Sequence, residues 1–294
     1  SSAASDVYKR QTFNLVVKGL TGGHSGDDIN KKRANANKLL VRFLWEQSEK
    51  TDLRLCDIQA GGLHNAIPRE AHATVAVPTA YVATFGEELQ AFVEKVRDEF
   101  SATEPELTAV IEPVAAAPTC ICKEQAERLL KSLSVVHNGI FAMSQDLEGL
   151  VETSSNLASV RKHGNQIVAT TSQRSSVASN LEYMASVVRS AFELGGAKCV
   201  TNEGYPGWKM NPKSEILKVC VDSYKRLFGK EPLVRAIHAG LECGLFSEKY
   251  PHLDMVSFGP TLRGVHSPDE RLLIPTVQMV WDHLLDVLKN VPEK

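Results

Sequence analysis

Apolar and polar positions alternate over residues 12–18, with Phe13, Leu15 and Val17 on one side, which predicts a strand. A glycine-rich turn follows at 19–26. Asp27 and Asp28 then stand where the caps of a helix over 29–49 would stand, with Leu39, Leu40, Phe43 and Leu44 as its apolar stripe. Two further strands are predicted at 53–60 and 70–77, joined through Gly61-Gly62-Leu63-His64-Asn65-Ala66-Ile67-Pro68. An amphipathic helix over 87–100 (Leu89, Phe92, Val93, Val96, Phe100) and a strand over 107–113 complete the unit. Strand, helix, strand, strand, helix, strand is the order of a ferredoxin-like sandwich, with two helices on one face of an antiparallel sheet.

The element order is then partly repeated. A helix is predicted at 123–136, and a strand pair at 155–160 and 165–171 turns at Lys162-His163-Gly164. A helix at 177–194 and a strand at 197–202 follow. Turn-rich Tyr205-Pro206-Gly207-Trp208 and Asn211-Pro212 mark a boundary. Beyond it the pattern alternates as α/β: a helix at 214–228 with Ser214 as its cap, a strand at 233–238, a short helix at 240–247, a strand at 254–258 and a last helix at 275–290. Two or three strands are too few for a doubly wound sheet. They are expected to join strands from another chain or from a preceding part of the same domain. The expected organisation is a tail at 1–11, an α+β lid domain at 12–204 and the last segment of an α/β catalytic domain at 205–294. The tail opens on Ser1, has no clear period and is expected to be non-native or disordered, and the chain to be N-terminally truncated.

Composition excludes more than it selects. With 43% hydrophobic and 23% charged residues the chain can build a sizeable core. Its net charge of −2 leaves no basic footprint for nucleic acid or an anionic membrane. No apolar stretch is long enough to span a bilayer. Six scattered cysteines without a CxxC pair are expected to be reduced thiols of a cytoplasmic protein.

Several residues stand where chemistry could be done. His24, in Gly22-Gly23-His24-Ser25-Gly26, sits at the tip of a strand-to-helix loop, either as a donor toward developing negative charge or as a surface loop cap. His266, in Gly264-Val265-His266-Ser267-Pro268-Asp269-Glu270, follows a predicted strand and is either a metal ligand or a plain loop histidine. Arg174 lies between strand and helix, where its fork could take a carboxylate or simply be solvated. Asn65 either binds a substrate oxygen or stabilises its own turn. Glu242 is a further carboxylate near Gly240, and equally a first-turn residue favoured by the helix dipole. His137 and His163 read as surface residues. A catalytic zinc needs three protein ligands, and no HExxH, His-x-Asp or paired carboxylates supply them.

The runs GLTGGHSGDDI, GGLHNAIPRE, LVETSSNLA, QRSS, IHAGLECGLF and GPTLRGVHSPDE, in that order, resemble the peptidase D family of aminoacyl-histidine dipeptidases, within the clan of dinuclear zinc aminoacylases and carboxypeptidases. The resemblance covers residues 12 to about 291. It implies that His24 polarises the scissile carbonyl and steadies the tetrahedral intermediate. Asn65 and Arg174 would hold the substrate's carbonyl and C-terminal carboxylate, Gly240 would make a backbone contact, and His266 would be the last metal ligand. It also implies two zinc ions, other divalent metals being possible, an unblocked dipeptide substrate such as Xaa-His, and a possible homodimer. The family's His-x-Asp, bridging Asp, general-base Glu and other carboxylate ligands precede the lid, so the chain as it stands is expected to be inactive. Two alternatives remain: deacylation of N-acyl amino acids on the same scaffold, and a non-catalytic lid or dimerisation module.

Overall fold

The computed structural model describes residues 9–292, apart from 118, 146, 203, 205–207, 209, 210, 212, 235–241 and 264–269. Two compact units are present, the second beginning at Gly204. In the first, β1 (Arg10–Lys18), α1 (Ala36–Lys50), β3 (Arg54–Gly61), β5 (Ala71–Pro78), α2 (Val82–Glu99) and β6 (Thr108–Pro113) form the expected ferredoxin-like unit, with a short ribbon of β2 (Gly23–His24) and β4 (Ala66–Ile67) beside it. A second half adds α3 (Lys123–Val135), β7 (Gly139–Met143), β8 (Val151–His163), β9 (Gln166–Ser175) and α4 (Ala178–Leu194). The sheet runs β6-β1-β5-β3-β8-β7, with β9 also paired to β8, and every pairing is antiparallel.

Register explains the core. Ala109, Val17, Ala71, Ala60 and Val160 face one another across five strands, and Ile111, Leu15, Ala73 and Ile58 form the next row. Their side chains share one face because side-chain direction alternates along each strand. In β3 the register shifts between Leu55 and Asp57. That bulge lets Leu55 and Ile58, three apart, both join the buried face. Phe43 bridges Phe85 and Phe92 at centroid distances of 5.4 and 5.2 Å, tying α1 to α2.

The sequence and the structure part company at definite points. The helix expected over 29–49 is a single 3₁₀ turn (Ile29–Lys31), a break and then α1. Lys32 adopts a left-handed φ of 55°, which a continuing helix cannot contain. The cap is Asn35, whose side chain accepts from the Asn37 and Lys38 N–H groups, and not Asp27 or Asp28. Residues 197–202 form no strand; Val200 is 89% exposed and no neighbouring strand pairs with it. β7, a short strand that its sequence did not signal, pairs instead with the start of β8. Positions 10 and 11, placed in the tail by sequence, pair in β1 with Pro78 and Val77. The expectation of six reduced thiols is corrected at one pair: Cys56 and Cys120 are disulfide-bonded. The bulge presents Cys56 beside the segment in which the Ile121 N–H donates to Leu55 O at 2.7 Å, a proximity that 64 residues of separation conceal.

The second unit contains α5 (Glu215–Phe228), α6 (Glu242–Lys249), a ribbon of β10 (Leu262–Arg263) and β11 (Arg271–Leu272), and α7 (Pro275–Asn290). Ser214 caps α5 as expected, accepting from Leu217 N at 3.0 Å. Residues 254–258, expected as a strand, are irregular, and the Asp254 carboxylate instead accepts from Ile216 N at 3.1 Å. α5 and α7 are joined where Ser223 donates to Asp286 at 2.6 Å and His283 meets Cys220 O at 2.8 Å. The strand expected at 233–238 runs into residues outside those described.

One contact between the halves of the first unit is sensitive to pH. The Lys38 ammonium, on α1, donates to Leu133 O, Ser134 O and Val136 O at 2.8, 2.8 and 3.0 Å, closing the C-terminal end of α3. Burial pushes its pKa down to about 8 from an ordinary 10.5. Between those values the unfolded chain binds more protons than the folded one, so this group's contribution to stability rises with pH there and falls as pH drops through 8. In urea titrations, wild-type stability relative to Lys38→Met is expected to climb between pH 8 and 10, by up to ~1.4 kcal/mol per unit. A flat difference would count against this reading.

Candidate active site in the first unit

The site is built on the segment joining β1 to α1. Gly23 has φ 136°, and a Cβ there would lie 2.4 Å from Asp28 Oδ2 and 2.3 Å from Arg33 Nη1, so only glycine fits. The His24 N–H donates to that same Asp28 oxygen at 2.8 Å. Asp28 also meets Lys31 at 2.5 Å and Arg33 at 3.3 Å. Burial alone would raise the Asp28 pKa, but the Lys31 hydrogen bond, the His24 N–H and the Arg33 charge outweigh it and hold the carboxyl below its ordinary value.

The His24 ring is oriented by main chain. Its Nδ1 accepts from Gly26 N at 3.3 Å and Asp27 N at 3.2 Å, with the Asp27 carboxylate 3.7 Å away. A nitrogen that accepts cannot also carry the proton, so the neutral ring is protonated on Nε2 and presents that N–H as a donor. The side chain is 19% exposed.

Asn65 and Arg174 gather at the same place. In the ribbon His24 pairs with Ala66, and the Asn65 carbonyl accepts from Ser25 N at 2.8 Å. The Asn65 side-chain amide makes no hydrogen bond among the described residues. Arg174 lies on β9 opposite Ser154. A Cβ on Gly26 would sit 3.1 Å from His24 Cε1 and 3.5 Å from Arg174 Cζ, so imidazole and guanidinium close on one glycine from two directions. Arg174 Nε is buried without a hydrogen-bond partner among the described residues, where its guanidinium also forms no ion pair. Burial lowers the Arg174 pKa, opposed by the Asp27 carboxylate. A buried guanidinium with donors to spare is suited to a carboxylate.

A residue that sequence reasoning did not single out holds this arrangement. Asn156 Nδ2 donates to Ala66 O at 2.8 Å, fastening the His24 ribbon to β8. Ser154 and Asn156 are two apart, so they share a strand face with their register partners Arg174 and Ser172. Asn35 Nδ2 in turn reaches Asn138 Oδ1 at 2.9 Å and Leu157 O at 3.1 Å, locking the start of α1 to the same strand. The only sequence signal was the run LVETSSNLA itself, whose polar residues do not alternate with apolar ones.

The structure thus brings His24, Asn65 and Arg174 together. Gly240 and His266 lie outside the described residues. Glu242 opens α6, but its side chain also lies outside them. His163 is exposed in the β8–β9 turn, and His137 packs edge-on to Phe141 at 5.5 Å with Nε2 near Ile140 O. Neither approaches the site through any contact seen.

Comparison with known proteins finds the same fold in characterised relatives. Residues 12–107 match the family model of a peptidase dimerisation domain. The chain is 40% identical over 284 residues, 97% of its own length, to the cytosol non-specific dipeptidase of Escherichia coli strain K12, and covers 59% of that protein. It superposes on the crystal structure of the aminoacylhistidine dipeptidase from Vibrio alginolyticus with a TM-score of 0.88 and 40% identity, over 97% of this chain and 58% of that one. The resemblance read from the motifs is therefore borne out, as is the antiparallel sheet with its helices, while the chain spans well under two thirds of the length of either relative.

The tautomer is open to direct measurement. In ¹⁵N-detected spectra of the histidine-labelled chain above pH 8, the neutral His24 ring is expected as the Nε2–H form, and a predominantly Nδ1–H ring would contradict the geometry. Asn156→Ala is expected to cost about 1 kcal/mol in urea unfolding, because it removes the donor to the part-buried Ala66 O.

Proposed function

We propose that this chain is the lid and the C-terminal catalytic segment of a cytoplasmic metal-dependent dipeptidase that hydrolyses unblocked dipeptides such as Xaa-His. The observation that carries the reading is the approach of the His24 ring and the Arg174 guanidinium to Gly26 from opposite halves of the same unit. Arg174 takes the substrate's C-terminal carboxylate in a bidentate grip, which sets the register of the dipeptide. Asn65 steadies the scissile carbonyl. The Nε2–H of His24 donates to the carbonyl oxygen as negative charge develops there, and backbone N–H groups already hold the ring in place, so little reorganisation is needed. Gly240 contributes a backbone contact to the substrate. Both His24 and Arg174 come from one chain, so this part of the site needs no second subunit. A homodimer is still part of the proposal, supported by the match of residues 12–107 to a dimerisation domain.

The family resemblance also implies two zinc ions, with His266 the ligand from this chain. Among the described residues no three His, Cys, Asp or Glu side chains gather to hold an ion, so those residues do not by themselves fit a metal centre. The roles assigned here accordingly belong to His24, Asn65, Arg174 and Gly240. N-acyl amino acids also end in a carboxylate that Arg174 would accept, and a panel of free and acylated dipeptides separates the two reactions.

In the protein extended to the length of its relatives, His24→Ala is expected to lower kcat roughly 10²–10³-fold with little change in KM. Arg174→Ala is expected to raise KM for free dipeptides roughly 10–100-fold, the scale of a lost charged hydrogen bond. Release of free histidine from Xaa-His measures both, and full activity in either variant would sink the assignment. The 294-residue chain on its own is expected to release none.

A further inference from the structure

Glu104 lies in the turn after α2, outside every motif that marked the site, and only 1% of it is exposed. Its two carboxylate oxygens are both used on backbone. Oε2 accepts from Thr21 N at 2.6 Å and Oε1 from Ala34 N at 2.9 Å. Among the described residues no cation pairs with it. Thr21 and Ala34 are the two ends of the segment whose middle carries Gly23, His24, Gly26, Asp27 and Asp28. The neighbouring Thr103 repeats the arrangement: Thr21 Oγ1 donates to Thr103 O at 3.0 Å, and Thr103 Oγ1 donates to Lys32 O at 3.3 Å. One turn of chain therefore fastens both ends of the His24 segment.

We infer that Glu104 is a positioning residue for His24: by clasping Thr21 and Ala34 with one carboxylate, it holds the intervening loop closed, so that the Gly26 and Asp27 N–H groups meet Nδ1 and the ring keeps its proton on Nε2. A carboxylate suits this task because it has two acceptor oxygens at a fixed spacing and no proton to give. Glutamine offers one acceptor and sets its NH₂ against the other N–H. Alanine leaves two N–H groups unsatisfied inside the protein. The clasp works at a distance through the loop, since among the described residues the Glu104 carboxylate bonds only to the loop's ends. Its bearing on catalysis rests on the proposed role of His24, but the clasp itself does not.

The test uses the 294-residue chain as wild type, Glu104→Gln, Glu104→Ala and Glu106→Gln, the last an exposed neighbour as control. Amide hydrogen exchange is read at Gly26 and Asp27, and the His24 ring nitrogens are read by ¹⁵N spectra. Glu104→Ala is expected to speed exchange at Gly26 and Asp27 by roughly tenfold or more, the scale of about one hydrogen bond. It should also convert the His24 signal from one tautomer to an average of two. Glu104→Gln should shift both measurements part of the way, with amides in α2 and β5 unchanged and Glu106→Gln indistinguishable from wild type. Faster exchange at Thr21 and Ala34 with Gly26, Asp27 and the ring unaltered would overturn the inference. Should the alanine variant fail to fold, an unaltered His24 in Glu104→Gln overturns it equally. If the extended protein cleaves no dipeptide while Glu104→Ala still frees the ring, the clasp stands and the catalytic reading falls.

Discussion

Strand β8 is polar and yet buried over ten consecutive residues, 151–160, and the first unit is arranged around that constraint. Glu152, Thr153, Ser154, Ser155, Asn156 and Ser159 are each under 10% exposed. Buried polar groups must be partnered or they cost stability. β9 lies along nearly the whole of β8, and β7 and β3 share its other edge, so the backbone is paired on both sides. The side chains find partners above and below: Thr153 with Ser175, Glu152 with Asn180, Ser155 with Gln173 and Asn156 with Ala66 O. The last of these places the His24 ribbon, and the pairing with β9 places Arg174. The geometry of the site is thus a by-product of satisfying one strand.

The electrostatics of the His24 segment follow a similar logic of local completion. Asp28 is matched by Lys31, Arg33 and a backbone N–H, which leaves it ionised and fully engaged. Arg174, by contrast, is half-buried, and its buried Nε has no hydrogen-bond partner among the described residues. The contrast between a fully engaged Asp28 and an Arg174 Nε without a partner among the described residues is what the proposed carboxylate-binding role draws on.

Much of the first unit was legible in its sequence, because the approximate alternation in β1 and the apolar stripes of α1 and α2 report which face is buried. The failures have physical causes. The alternation in residues 197–202 had no neighbouring strand to pair with, and pairing, not propensity, makes a strand. The aspartates before α1 resembled caps, but their carboxylates were claimed by other partners before the helix began. The full length of β8 was obscured because its polar residues are buried, and the five residues of β7 are too few to show a period. At the site, His24, Asn65 and Arg174 carried chemistry in their side chains and could be named. Asn156 and Glu104 act on backbone atoms, and no residue pattern announces which carbonyl or N–H a side chain will reach.

The division of labour between main chain and side chain also bears on how such a site can evolve. The proton on the His24 ring is assigned by the peptide N–H groups of residues 26 and 27, which any non-proline residue at 27 would supply, while a side chain at 26 would press on the ring. The charge proposed to meet a substrate carboxylate is a single side chain, Arg174, on β9. Substitutions at 174 can therefore leave the hydrogen bonds that orient the imidazole in place, so that the two elements are free to diverge separately in descent.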